Sequence, residues 1–187
     1  ATAWTLTAVN GTNTITGVTN TPEVTTAEAV VGTYALSEDG PAGYAASAWV
    51  CEGASGSTAD SVTLALGDAA TCTITNTAQQ PHLTLVKQVV NDNGGSAVDT
   101  DWTLSADGPT DGITGATGSD EVTAVPVEVG DFALSESAGP VGYIADPWQC
   151  DGGTLSGSTV TMALGDDVTE ERALEGGRDL AASDLVR

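Results

Sequence analysis

A lysine, two glutamates and an asparagine stand where apolar side chains are expected. In Leu83-Thr84-Leu85-Val86-Lys87-Gln88-Val89, alternate residues of an extended chain face one way, so Lys87 shares a face with Leu83, Leu85 and Val89. Glu136 shares a face with Phe132 and Leu134, Glu38 with Tyr34 and Leu36, and Asn76 with Cys72 and Ile74. Ionisable groups on a buried face are costly unless they are paired. The chemistry available to such a set is ion pairing or cross-linking.

The cysteines offer a second kind of link. Cys51 ends one alternating stretch and Cys72 sits in another, with no CxxC pair and no neighbouring ligand cluster that would suit zinc. A Cys51–Cys72 disulfide is the expectation, against two buried reduced thiols. It would close a loop of roughly 20 residues, worth on the order of 3 kcal/mol. Cys150 occupies the place of Cys51 in a later stretch, but Glu170 stands where its partner would be. Cys150 is therefore free or paired with another chain.

The remaining polar candidates are weaker. Asn91-Asp92-Asn93-Gly94-Gly95 lacks the spaced acids of a calcium loop and reads as a tight turn. Asp166, Asp167, Asp99 and Asp101 read as solvated loop carboxylates, with weak calcium binding at Asp92, Asp166 and Asp167 as the alternative. The single histidine, His82, has no serine or aspartate arrangement around it that would make a hydrolytic triad. No cofactor is expected.

These residues are positioned by a tandem repeat. Trp4-Thr5-Leu6-Thr7-Ala8 returns as Trp102-Thr103-Leu104-Ser105-Ala106, and Tyr34-Ala35-Leu36-Ser37-Glu38 as Phe132-Ala133-Leu134-Ser135-Glu136, both 98 positions later. After one inserted residue, Gly40-Pro41-Ala42-Gly43-Tyr44 returns as Gly139-Pro140-Val141-Gly142-Tyr143 and Trp49-Val50-Cys51 as Trp148-Gln149-Cys150. The original offset is then restored, since Val62-Thr63-Leu64 returns as Val160-Thr161-Met162. Insertions fall in turns while strands keep register, as they must when a one-residue slip would turn a buried face outward. The four recurring tryptophans, Trp4, Trp49, Trp102 and Trp148, read as core anchors rather than a ligand platform.

Each unit reads as six or seven short strands separated by turn signals, an all-β sandwich. The expected layout is a first domain over 1–78, a linker over 79–82, a second domain over 83–169 and a divergent tail over 170–187. The first unit shows no counterpart of Leu83–Val90 ahead of Trp4. At the other end, Glu170 and Leu174 replace Cys72 and Asn76, so the second unit is expected to lack its closing strand. Glu170-Glu171-Arg172-Ala173-Leu174-Glu175 favours helix, with Thr169 as N-cap and Gly176-Gly177 as stop.

Charge narrows the partners. The 187 residues carry 26 acidic against 4 basic side chains, a formal net charge of −22. Such a surface repels nucleic-acid phosphates and anionic membranes. With 40% hydrophobic residues in alternating runs, the acid reads as a coat on a folded protein, one that would also suit a high-salt habitat. No signal peptide and no membrane-length apolar run occur, so the chain reads as a mature piece of a larger secreted protein with any anchor encoded elsewhere.

Lys87 in an opening strand, the Tyr/Phe-x-Leu-x-Glu…Gly-Pro-x-Gly-Tyr stretch and the closing Thr73-Ile74-Thr75-Asn76-Thr77 resemble collagen-adhesin B-type domains. These are also called SpaA-like or prealbumin-like domains, of Gram-positive surface proteins and pili. The resemblance spans roughly residues 1–170. It implies Ig-like or prealbumin-like sandwiches located at the cell surface or cell wall. It also implies a self-formed isopeptide bond between an opening-strand lysine and a closing-strand asparagine, promoted by a glutamate. There the lysine nitrogen would attack the asparagine carboxamide and ammonia would leave, with a protonated carboxyl polarising the carbonyl.

Neither unit carries the full set. The first has Glu38 and Asn76 without the lysine strand; the second has Lys87 and Glu136 with Leu174 at the asparagine position. A Lys87–Glu136 ion pair is therefore expected in place of an isopeptide. An alternative places the Lys87 strand of one copy beside Asn76 and Glu38 of another. The functional expectation is a non-enzymatic stalk or spacer whose partners are neighbouring repeats or other copies. The runner-up is an adhesion module for a host protein or a glycan.

Overall fold

The computed structural model describes residues 4–176, with backbone alone for Glu175 and Gly176. The chain divides into one unit ending at Gln79 and another starting at Gln80. Unit 1 contains β1 (Thr5–Asn10), β2 (Asn13–Val18), a helical turn α1 (Pro22–Thr25), β3 (Gly32–Asp39), β4 (Tyr44–Ala46), β5 (Val50–Glu52), β6 (Gly56–Ser57), β7 (Ser61–Leu64), β8 (Thr71–Thr73) and β9 (Asn76–Ala78). Unit 2 contains β10 (His82–Val90), β11 (Leu104–Asp107), β12 (Ile113–Gly115), β13 (Val125–Pro126), β14 (Gly130–Glu136), β15 (Tyr143–Ala145), β16 (Gln149–Asp151), β17 (Thr154–Ser156), β18 (Thr159–Met162) and β19 (Asp167–Gly176).

One sheet is the same in both units. Its order is β2-β1-β3-β7-β6 in unit 1 and β12-β11-β14-β18-β17 in unit 2. The register repeats as well: Leu6 lies opposite Glu38 and Leu104 opposite Glu136. Even a surface cross-strand pair recurs, Thr7–Thr16 and Ser105–Thr114, each with hydroxyl oxygens 2.8 Å apart.

The second sheet separates the units. In unit 2 it runs β13-β10-β19-β15, with β16 also on β19. Strand β10 lies parallel to β19 along nine residues, from His82↔Asp167 to Val90↔Glu175. Leu83 and Leu85 from β10 and Val168 from β19 join Leu104, Phe132 and Met162 of the opposite sheet in one buried cluster. Among the described residues of unit 1 the second layer is two separate ladders, β4 with β9 and β5 with β8.

The helix expected over 170–175 is a strand. β19 runs straight through Glu170, so the second unit keeps a closing strand and extends past residue 169 to 176. Nine residues of ladder on β10 outweigh a weak local helix preference. Gly177 and the tail over 177–187 lie outside the described residues. The junction expected over 79–82 is also shorter: Gln79 N–H donates to Gly43 O, Pro81 is buried, and His82 already belongs to β10.

Candidate cross-link sites

In unit 2 the middle of β10 brings Lys87 inward against the end of β14. Lys87 Nζ donates to Glu136 Oε2 at 2.5 Å, with the lysine side chain wholly buried and the glutamate 12% exposed. Arg172 of β19 places Nε 3.3 Å from the other oxygen, Glu136 Oε1. The ammonium also sits 5.2 Å from the centre of the Trp102 ring, within cation–π range. Burial lowers the Lys87 pKa from its ordinary value, and Arg172 adds to that, while the hydrogen bond and charge of Glu136 push it back up. Leu174, where unit 1 has Asn76, packs with Trp102 and Ala97, so the amine faces no carboxamide at that position.

Trp102 is held by the Gly-Pro-x-Gly-Tyr loop. Its ring meets Tyr143 edge-on at 5.5 Å, as Trp4 meets Tyr44 in unit 1. Gly139 and Gly40 lie against these indoles so closely that a Cβ would come within 1.9 Å of a Trp102 ring atom and 2.1 Å of a Trp4 ring atom. The motif thus seats a tryptophan, and in unit 2 that tryptophan forms one wall of the lysine site.

Unit 1 contains the complementary half. Asn76 Nδ2 donates to Glu38 Oε2 at 2.8 Å. The carboxamide oxygen, Asn76 Oδ1, is buried and accepts no hydrogen bond from the described residues. No basic side chain belongs to residues 1–79.

The cysteine sites differ in the same register. Cys51 of β5 lies opposite Cys72 of β8, and the two form a disulfide. Cys150 of β16 lies opposite Glu170 of β19 and is unpaired. Glu170 is fully buried, and neither carboxyl oxygen has a hydrogen-bond partner among the described residues. Burial raises its pKa from the ordinary carboxylate value. Burial and then the neighbouring Glu170 push the Cys150 thiol up to about 11. Burial thus favours the protonated form of both members of this pair.

Most of the carboxylates weighed for calcium serve turns, and Asp167 lies in a strand. Asp166 Oδ2 accepts from Ala163 N–H at 2.8 Å, as Asp68 Oδ2 accepts from Ala65 N–H at 2.8 Å. Asp101 Oδ2 accepts from Val98 N–H, Asp92 Oδ1 accepts from Asn93, and Asp167 begins β19 opposite His82. Among the described residues no group of three or more His, Cys, Asp or Glu side chains is placed to hold a metal ion.

Sequence reasoning missed the inward-facing roles of Glu170 and Arg172. The signal was there: Val168, Glu170, Arg172 and Leu174 alternate with Thr169, Glu171 and Ala173, a period-two pattern with charges on the apolar side.

The sequence profile of a family described as a prealbumin-like fold domain, of the SpaA type, matches residues 1–74 and 78–170. No curated protein matches the chain.

Proposed function

Because the chain belongs to the SpaA-type family of prealbumin-like fold domains, we propose that it is a structural stalk or spacer segment of an extracellular surface or filament protein. The observation that carries this reading is the internal bracing. In unit 1 a disulfide ties β5 to β8 of the closing layer. In unit 2 the buried Lys87 with the half-buried Glu136 and Arg172 joins β10, β14 and β19, which is to say both sheets. Polar chemistry is spent on holding strands to each other rather than on a cleft with converging catalytic groups. All four tryptophans are buried or half-buried, so they do not form an exposed aromatic platform.

Force spectroscopy on the chain tests the proposal. Two unfolding events are expected, with the unit 1 event gaining contour length once reductant opens Cys51–Cys72. Low-micromolar binding to a defined glycan or matrix protein would make the chain an adhesion module instead.

A further inference from the structure

Both units build the same frame around one pair of positions. Cys51 of β5 lies opposite Cys72 of β8, and Cys150 of β16 lies opposite Glu170 of β19. Two residues past each cysteine stands a glycine at positive φ, Gly53 at 74° and Gly152 at 93°. There the chain passes hard against the segment across the ladder: a Cβ would come within 2.3 Å of Ala69 O in unit 1 and 2.5 Å of Asp167 O in unit 2. Position 170 is therefore the seat of a disulfide partner, and it holds an acid.

That acid takes no part in the brace of Lys87, Glu136 and Arg172. It is 0% exposed, and neither of its oxygens has a hydrogen-bond partner among the described residues. A buried carboxyl without a partner is costly. The polar group that acts on it is the half-buried Cys150 thiol. The thiol is packed in turn against Gly153, where a Cβ would come within 3.2 Å of Cys150 Sγ. The charged groups that act on the thiol are Glu170 across the ladder and Asp151 on its own strand, both acidic. Disulfide chemistry needs the thiolate, and burial and both carboxyls oppose its formation.

We propose that Glu170 is a guard on the Cys150 thiol: its carboxyl fills the partner position and keeps the thiol out of disulfide exchange, so that oxidation of the chain closes Cys51–Cys72 alone. The step it blocks can be written out. With a small-molecule disulfide such as oxidised glutathione as oxidant, the Cys150 thiolate would attack one sulfur, forming a mixed disulfide and releasing a glutathione thiolate that takes up the thiol's proton. A second protein thiolate, from Cys51 or Cys72, would then attack Cys150 Sγ and displace the remaining glutathione. Two protein thiols lose two electrons, and the oxidant leaves as two molecules of reduced glutathione. The product would cross-link Cys150 to one cysteine of unit 1 and leave β5 and β8 without their disulfide.

The experiment refolds the reduced, urea-unfolded chain in a mixture of reduced and oxidised glutathione and maps its cysteines by mass spectrometry without reduction. One product is expected, Cys51–Cys72 with Cys150 as a free thiol. Alkylation of Cys150 by iodoacetamide at about pH 8 should be roughly ten-fold slower in the folded chain than in urea. Glu170→Gln keeps the volume and removes the acid; it should speed that alkylation roughly three-fold and let glutathione adducts form at Cys150. Glu170→Cys should close onto Cys150 as a second disulfide beside Cys51–Cys72. A glutathione adduct or disulfide at Cys150 of the natural chain, or equal alkylation rates folded and unfolded, would overturn the proposal. So would a folded Glu170→Gln chain that reacts no faster than the natural one, which would assign the protection to burial alone. Two free thiols in a folded Glu170→Cys chain would show that position 170 is not the partner seat. The first two readings use the natural chain, so a variant that fails to fold leaves the proposal open to refutation.

Discussion

The two units are one sheet repeated and one sheet completed to different degrees. The strands β1, β2, β3, β6 and β7 match β11, β12, β14, β17 and β18 in order and register. Yet Leu104, Ala106, Leu134 and Met162 are buried, while Leu6, Ala8, Leu36 and Leu64 are only half-buried. The difference lies opposite them, in the presence of β10. A sandwich core is closed by its second layer, and apolar residues on the first sheet do not bury themselves. The units also differ in how the closing layer is secured: unit 1 has the disulfide, while unit 2 has β10 and the charges it brings to Glu136.

The comparison breaks most completely if unit 2 is made to resemble unit 1. Leu83→Ala with Leu85→Ala removes both inward leucines of β10 and should cost about 2–5 kcal/mol for each. Hydrogen exchange resolved by unit should show the loss in unit 2 and none in unit 1. Equal losses in both units, or none in unit 2, would refute the assignment of β10 as the strand that closes the core.

Smaller effects follow at the two braces. Glu136→Gln strands the buried Lys87 ammonium and should destabilise unit 2 by about 3 kcal/mol. Lys87→Met should cost less, since Arg172 still faces Glu136 at 3.3 Å. The reverse order, in urea denaturation, would show that Arg172 contributes nothing to the cluster. Reduction of Cys51–Cys72 should cost unit 1 about 3 kcal/mol, from the 21-residue separation it spans. Unit 2, whose Cys150 is already a thiol, should be unmoved.

Much of this contrast was legible in the residues. The repeat, the sandwich class and the Cys51–Cys72 pairing follow from spacing and alternation, because insertions avoid strands and inward residues recur every second position. The end of unit 2 was not legible this way. Glu170-Glu171-Arg172-Ala173-Leu174 is locally helix-favouring, and only the partner strand 85 residues earlier, Leu85 opposite Glu170, decides for strand. Nor did sequence show that the Asn76 oxygen has no donor among the described residues, which depends on how β9 meets the end of β3.

The smallest effect expected is a slope with pH, and its sign separates the two units. The folded pKa of Glu170 is raised above 4.5 by burial, so between 4.5 and that raised value folded unit 2 holds a proton that the unfolded chain has released. Stability of unit 2 must then fall as pH rises through this window. Cys150, raised from 9.0 to about 11, gives a loss of the same sign at alkaline pH. Lys87, lowered from 10.5, acts oppositely there, since its folded form releases its proton first. The slope from Glu170 begins at the ordinary carboxylate range, far below the thiol at about 11, so it is read from the acid side. Denaturation of unit 2 as pH is raised from about 5 should show declining stability in the natural chain and in Cys150→Ser, and a flatter profile in Glu170→Gln. Unit 1, with a disulfide in that register, should lack the slope. A natural chain whose unit 2 gains stability across this range would mean that Glu170 is ionised in the fold, and that the carboxylic acid beside the thiol is not the counterpart of the disulfide.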